Sequence, residues 1–322
     1  MSNYGLLING ELVKSDMTLD VINPATEEVF TQVPRADEAM LDQAVAGAKV
    51  AAAKWALTDI DERKALIHKI ADAINANIEP LAKALTQEQG KPLAAATMEV
   101  QYAEIFCRYF TSLNLENEVL VDDENQRVEV QRTPLGVVAG ILPWNFPLLI
   151  GIYKIAPSIL AGNSIILKPA PTTPVVSVML GEILKDVVPA GLVNILVDDN
   201  DLGPKITSHP GIDKISFTGS TPTGKAIMSS AASTLKRITL ELGGNDAAIA
   251  LDDIDVKAAA QGIFNTAFIN SGQVCIALKR LYAHESIYDE LCEEIASLAR
   301  QAVVGNGLDE ATQFGPVQNK MQ

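Results

Sequence analysis

Residues able to do chemistry stand at intervals along the second half of the chain. They are an amide at Asn145 in "PWNFP", an ammonium at Lys168 in "LKPA", a glycine pair at Gly219 and Gly224 in "FTGSTPTGK", a carboxylate at Glu241 in "LELGGN" and a thiol at Cys275 in "NSGQVC". The glycine pair followed by Lys225 has the outline of a phosphate-cradling loop, in which glycine lets the backbone approach a ligand closely. A nucleoside triphosphate loop also needs Ser or Thr after the lysine, because that hydroxyl ligates Mg²⁺. Here the position is Ala226.

Each residue alone has a plainer reading. Asn145 could make an Asx turn between Pro143 and Pro147, Lys168 could be a solvated strand end, and Glu241 shares the polar side of an alternating strand with Thr239. The glycine pair could be only a tight strand-to-helix turn. A lone cysteine such as Cys275 is more often a small buried apolar residue than a nucleophile.

The elements that would position them follow a rhythm. From residue 136 short apolar runs ("GVVAGIL", "NSIILK", "LVNILV", "DKISFTG", "RITLEL") alternate with helix-period segments near 151–161, 174–187, 201–208 and 222–232. That alternation predicts an α/β fold with a doubly wound parallel sheet. In such sheets ligands bind beyond the carboxyl ends of the strands. Asn145, Lys168, the Gly219 loop and Glu241 each follow a strand, and right-handed crossovers put all four ends along one edge.

Upstream, amphipathic helices are predicted near 37–56, 60–77 and 79–113, with "NPATEEV" as a turn ahead of them. "EVLVDDENQRVEVQR" reads as two alternating runs around a polar turn, hence a protruding hairpin arm. Two-stranded ribbons are marginal alone, so the arm is expected to pack on another subunit in a homo-oligomer. After Gly244 a strand "AAIAL" and helices near 255–270 and 286–303 open a second unit. The expected organisation is therefore 1–117 with 136–243 as one domain, 118–135 as the arm, and 244–322 as the start of another domain.

Composition narrows the class. The 322 residues are 48% apolar and 20% charged, as in a globular protein able to bury a substantial core. A formal net charge of −15 argues against nucleic acid or an anionic membrane as a partner. Thr133–Tyr153 is uncharged and long enough to span a bilayer, but Pro134, Pro143, Pro147 and Asn145 interrupt it, so a buried strand and helix are expected. Three widely spaced cysteines, Cys107, Cys275 and Cys292, suggest neither a disulfide framework nor zinc. With no basic patch and apolar run at the N-terminus, the expected compartment is the cytoplasm. His68, His209 and His284 show no metal-ligand spacing and join no evident triad, and Cys107 and Cys292 fall in helix-period segments as structural residues.

Taken in order, "PWNFP", "LKPA", "FTGSTPTG", "LELGGN" and "NSGQVC" resemble the aldehyde dehydrogenase superfamily, from about Val21 to the last residue. The resemblance implies a Rossmann-like cofactor domain, part of an α/β catalytic domain, and oxidation of an aldehyde to a carboxylic acid through a cysteine thiohemiacetal and thioester. It implies that Cys275 is the nucleophile, that Asn145 and the Cys275 backbone N–H stabilise the oxyanion, and that Glu241 activates the hydrolytic water. Trp144 and Lys168 resemble positions around the cofactor ribose, and Phe217, Gly219, Ser220 and Gly224 the loop beside pyrophosphate. The implied cofactor is NAD or NADP. Many members carry a glutamate for the adenosine ribose two residues after "LKP"; here that place is Pro171, which neither binds a 2′-hydroxyl nor repels a 2′-phosphate, and the expectation leans to NAD.

Family members are longer than this chain, so part of the catalytic domain is expected to be missing. A non-catalytic dinucleotide-binding fragment is therefore the alternative. A P-loop nucleotidase is a further one, opposed by Ala226 and leaving Asn145, Glu241 and Cys275 unexplained. Tyr153, close after the "PWNFP" loop, is expected to line the approach to the site.

Overall fold

The computed structural model describes residues 4–322. Two short hairpins come first, β1 (Leu6–Ile8) with β2 (Glu11–Val13), and β3 (Thr18–Asn23) with β4 (Glu28–Pro34), the second turning at the "NPATEEV" segment. Four helices follow: α1 (Glu38–Trp55), α2 (Ile60–Asn75), α3 (Ile78–Gln89) and α4 (Leu93–Thr111). Asp37 and Asp59 cap the first two, their carboxylates accepting from the N–H groups of Met40 and Asp61.

The continuous helix expected over 79–113 is broken in two. Gly90 adopts φ +98° at the end of α3, and Pro92, which lacks an N–H, starts α4. A Cβ on Gly90 would come within about 3 Å of Pro24 and Pro316, so the corner also admits two distant segments.

The arm is a hairpin of β5 (Glu118–Asp122) and β6 (Arg127–Val130). The alternating region then reads β7 (Val137–Ile141), α5 (Pro147–Leu160), β8 (Ser164–Lys168), α6 (Val175–Leu184), β9 (Val193–Ile195), α7 (Gly203–Ser208), β10 (Lys214–Thr218), α8 (Thr221–Ala232) and β11 (Arg237–Glu241). Thr133–Tyr153 thus forms a buried strand, a loop and the start of a helix. Among the described residues no helix is long and apolar enough to cross a membrane.

The sheet order is β11-β10-β7-β8-β9-β1-β2, with the five strands from β11 to β9 parallel and β1 and β2 antiparallel at one margin. The β1–β2 extension was not anticipated, because strands of three residues leave almost no periodicity to read. Strand order reverses between β7 and β10, the switch point at which open α/β sheets open a crevice. Val138, Ile165 and Leu167 pack on one face against α2, α4 and α5, while Val137, Ala139, Ile166 and Ile215 pack on the other against α1, α7 and α8. Central strands buried on both faces explain the unbroken apolar runs.

Beyond β11, β12 (Asp246–Ala250) and β13 (Leu278–Ala283) pair in parallel, joined by α9 (Val256–Phe268), and α10 (Tyr288–Gln301) packs on α9. This unit has four buried apolar residues at its centre, Ala250, Ala260, Ile287 and Leu291. The last stretch turns back onto the first: Gly307 O accepts from Leu93 N, and Gln318 Nε2 donates to Glu88 O.

Candidate active site

The strand ends line up as expected. Ile141 is in register with both Lys168 and Phe217, and Thr218 with Glu241. Beyond them opens a cavity of about 1150 Å³. Trp144, Asn145 and Lys168 line it, with Phe217, Gly219, Ser220, Glu241 and Cys275. The structure therefore gathers eight of the nine residues singled out in the sequence. The ninth, Gly224, does not line the cavity; it lies buried in the first turn of α8, where a Cβ would meet Leu242 at 2.8 Å. Its smallness serves helix packing rather than approach to a ligand.

Cys275 is half-buried on a loop that follows α9, with three consecutive left-handed residues, Asn270 (φ 52°), Ser271 (φ 56°) and Gly272 (φ 77°), leading to it. Non-glycine residues in that region cost about 1–2 kcal/mol each, so the loop persists only if its surroundings fix it. They do. Asn270 Nδ2 donates to Asn145 O at 3.2 Å, Ser271 Oγ to Gly315 O at 2.9 Å, and Asn145 Nδ2 to Gln273 O at 2.9 Å. Lys279 Nζ donates to the carbonyls of Gly244, Val274 and Cys275 at 2.9–3.2 Å. A Cβ on Gly244 would stand 2.7 Å from Cys275 O, so these two backbones are in contact. Thirty-four residues of chain separate Glu241 from Cys275, and these contacts bring their loops to one cavity wall. One hydrogen of the Asn145 amide is spent on Gln273, and the second remains for a ligand.

One buried ion pair and two capping carboxylates beneath the site left little trace in the sequence. Lys91 Nζ, paired with Glu99, donates to Asn145 O at 2.8 Å and sits 3.9 Å over the Phe146 ring. Glu99 Oε1 accepts from the first-turn N–H groups of Leu148 and Leu149 at 3.1 and 3.2 Å, capping α5. Burial lowers the Lys91 pKa while Glu99 opposes the shift. Glu88 caps α6 in the same way through Val175 N and Val176 N, and burial pushes its carboxyl up to about 8. The available signal was a charge on the apolar side of each helix.

Lys154 is the other residue that sequence reasoning missed. It leaves α5 beneath Gly140, whose absent Cβ would stand 3.2 Å from Lys154 Cδ, and donates to Ser216 Oγ and Thr218 Oγ1 at 3.0 Å each. Burial pushes its pKa down to about 8, with Glu241 pulling the other way and Lys214 adding to the depression. A lone lysine in "LLIGIYKIAPSIL" was its signature.

At the start of α8, Ser220 Oγ accepts from Thr223 N at 3.3 Å as an N-cap, and Pro222 has no N–H, so the Thr221 amide and the helix dipole are what this terminus offers an anion. Gly219 N already donates to Glu241 O at 3.0 Å, and the space of its missing side chain is filled by the Phe217 ring. Lys168 lies 2.6 Å from Asp198. A cavity of this size, walled by the N-terminus of α8, the Lys168 ammonium, the Asn200 side chain and the apolar Pro204, Ala226 and Ile227, fits a dinucleotide better than a compact triphosphate.

The remaining candidates are structural. Cys107 is in the core with its thiol pushed up to about 12 by burial, and Cys292 is exposed on α10. Tyr153 does not line the cavity; it packs edge-on against Phe106 at 4.5 Å. No cluster of His, Cys, Asp or Glu among the described residues could hold a metal ion.

The sequence matches the aldehyde dehydrogenase family over residues 12–322. A probable aldehyde dehydrogenase of Pseudomonas sp. is 39% identical over 321 residues, covering 100% of this chain and 66% of the relative. Phenylacetaldehyde dehydrogenase of Pseudomonas fluorescens is 38% identical, covering 98% and 66%. The chain thus spans 66% of the length of these relatives. Among solved structures, an aldehyde dehydrogenase from Brucella melitensis biovar abortus 2308 superposes with a TM-score of 0.95 at 35% identity, covering 99% of this chain and 68% of that one. An NADP dependent enzyme of E. coli (TM-score 0.95, 33% identity, 99% and 68% covered) and a betaine aldehyde dehydrogenase of Staphylococcus aureus in complex with NAD+ (0.94, 31%, 99% and 66%) share the same architecture. With nearly its whole length matched in sequence and in fold, the chain belongs to the aldehyde dehydrogenase family.

Proposed function

We propose that this chain carries the machinery for nicotinamide-dependent oxidation of an aldehyde to a carboxylic acid. The observation that carries the reading is the tie between Asn145 Nδ2 and Gln273 O, which holds an amide donor beside the Cys275 loop in a cavity that Glu241 also lines.

The Cys275 thiolate adds to the aldehyde carbon, and the carbonyl oxygen becomes an oxyanion. The free hydrogen of the Asn145 amide and the Cys275 N–H donate to that oxygen, the kind of contact worth about 3 kcal/mol. A bound nicotinamide supplies the hydride acceptor. Cys275 then holds the acyl group as a thioester. Glu241, exposed at the end of β11, takes a proton from water as the water attacks the acyl carbon; the C–S bond breaks, and the acid and the thiol are released. The residues around Lys168 and α8 hold the dinucleotide, and Lys91, Glu99 and Lys279 keep the two loops in place.

Absorbance of reduced cofactor after adding an aldehyde with NAD tests the reading. Cys275→Ala is expected to abolish turnover while leaving dinucleotide affinity within about threefold. Turnover that survives the substitution would refute the role of this thiol.

A second reading, dinucleotide binding without turnover, is favoured by one feature. Ile249, Ile276 and Val304, in the unit that carries Cys275, are 74%, 71% and 70% exposed, so its apolar face lies open. Cofactor binding in titration without any reduction would select it. The arm supports assembly as a homo-oligomer through exposed Val119, Leu120, Val128 and Val130. Three free thiols suit a reducing compartment, the cytoplasm.

A further inference from the structure

The cavity end remote from Cys275 is built differently. Glu241 on β11 and Lys168 on β8 are three strand spacings apart, roughly 14 Å at about 4.8 Å per strand. With the reacting ring at Cys275 and the pyrophosphate at the start of α8, the second nucleoside comes to Lys168. Pro204 and Ala226 line the same cavity and offer its base an apolar surface.

Lys168 is not a free cation. Its Nζ lies 2.6 Å from Asp198 Oδ1, with the two side chains 5% and 0% exposed, and it is in reach of Pro169 O at 3.2 Å and Asn200 Oδ1 at 3.3 Å. Asp198 Oδ2 accepts from Leu202 N at 3.0 Å, which fixes the carboxylate to the loop before α7. Asp199 and Asp201 follow, and Asp201 pairs with Arg35 at 2.8 Å. Over this corner three carboxylates face two cations, leaving one negative charge in excess. Of the other lysines on the cavity wall, Lys279 is committed to three carbonyls at the cysteine loop, and Lys320 stands in the last turn of the chain.

We propose that Asp198 makes the site select a dinucleotide whose adenosine ribose bears a free 2′-hydroxyl over one bearing a 2′-phosphate, that is, NAD over NADP. The inference rests on the cofactor reading above and assigns its discrimination to a residue. A phosphate monoester carries a charge of about −1.5 to −2 near neutral pH. Brought to Lys168, it meets an ammonium already paired with the buried Asp198 carboxylate. Its desolvation is not compensated. A 2′-hydroxyl faces no such penalty, because it can donate to Asn200 Oδ1 and accept from the Asn200 amide. Pro171 lines the same corner and contributes neither charge nor donor. Specificity here comes from a repulsive element rather than from a ribose ligand.

Calorimetric titration of the purified protein with NAD and NADP, and with adenosine 5′-diphosphate and its 2′-phosphorylated form, tests this without turnover. The unphosphorylated member of each pair is expected to bind at least tenfold more tightly. Asp198→Asn keeps an oxygen for Leu202 N and removes the charge; NADP should gain at least tenfold while NAD changes less than threefold. Equal affinities in the wild type would overturn the proposal and hand the 2′-phosphate to Lys320, and so would an Asp198→Asn variant that shifts both cofactors alike. Should the variant fail to fold, the two diphosphates on the wild type decide alone. If no dinucleotide binds, the cofactor reading itself fails and this inference with it, whereas tight NAD binding with a flat ratio sinks only the inference.

Discussion

The two ends of the cavity are held by different means. At the far end Lys168 and Asp198 stand on adjacent parallel strands or just past them, and the sheet alone brings them together. At the reacting end nothing local suffices. Asn145 depends on Lys91, 54 residues away, and on Gln273, 128 residues away, while Cys275 stands on a left-handed turn pinned by Gly315. The difference teaches that the cofactor end is a property of the sheet, whereas the catalytic end is a property of cross-chain contacts that lock loops. Damage to a contact should therefore act very unequally at the two ends.

The largest effect is expected at Lys91. Replacing it by Met leaves the Glu99 carboxylate buried and unpaired, a change that typically costs about 3–5 kcal/mol, and it leaves the Asn145 carbonyl with Asn270 Nδ2 as its remaining donor. Urea unfolding of Lys91→Met measures the loss. Adding Glu99→Leu should restore most of it, since apolar replacement of a buried pair is often close to neutral, and the remainder reports the lost cap on Leu148 and Leu149. A loss below about 1 kcal/mol in the single variant would mean that the pair does not support the site.

Next comes the lysine beneath the switch point. Burial pushes the Lys154 ammonium down to about 8 from the ordinary lysine value of 10.5, so between those values the unfolded chain holds more protons and stability climbs as pH rises. Below about pH 8 the folded state carries the full cost of a buried ammonium. The wild type should gain on the order of 2 kcal/mol across that window, a gain absent from Lys154→Met. Unfolding free energies measured from pH 7.5 to 10.5 give the slope directly; equal slopes in the two proteins would place the titration elsewhere.

This asymmetry also explains what the sequence disclosed. The parallel strands read as continuous apolar runs because both faces are covered, and their polar termini at Asn145, Lys168 and Glu241 stood out against them. Cys275 could be placed only through the ordered motifs, since periodicity says nothing of a loop fixed by residues 44 positions away. Lys91, Glu99, Glu88 and Lys154 stayed hidden because a buried charge and a solvated one look alike in a sequence until the partner is known. The predicted single helix over 79–113 failed for a related reason: the apolar pattern runs on through Gly90 and Pro92, while the two prolines that need the corner lie at 24 and 316. The Gly219 loop was read as a phosphate cradle, yet much of its hydrogen-bonding capacity is spent inside the fold.

That last point yields the smallest and most discriminating effect. Ser220 was expected to contact the cofactor, but its Oγ accepts from Thr223 N and lies 2.9 Å from Thr223 Oγ1, the geometry of a helix cap. Ser220→Ala should therefore cost about 1 kcal/mol in urea unfolding, the usual worth of an N-cap hydroxyl. Dinucleotide affinity should change less than threefold, because the dipole of α8 and the free Thr221 amide at its terminus survive the substitution. A tenfold or greater loss of affinity with unaltered stability would return Ser220 to the cofactor's own shell. It would also show that the far end, like the reacting end, relies on a side chain held by contacts and not on the sheet alone.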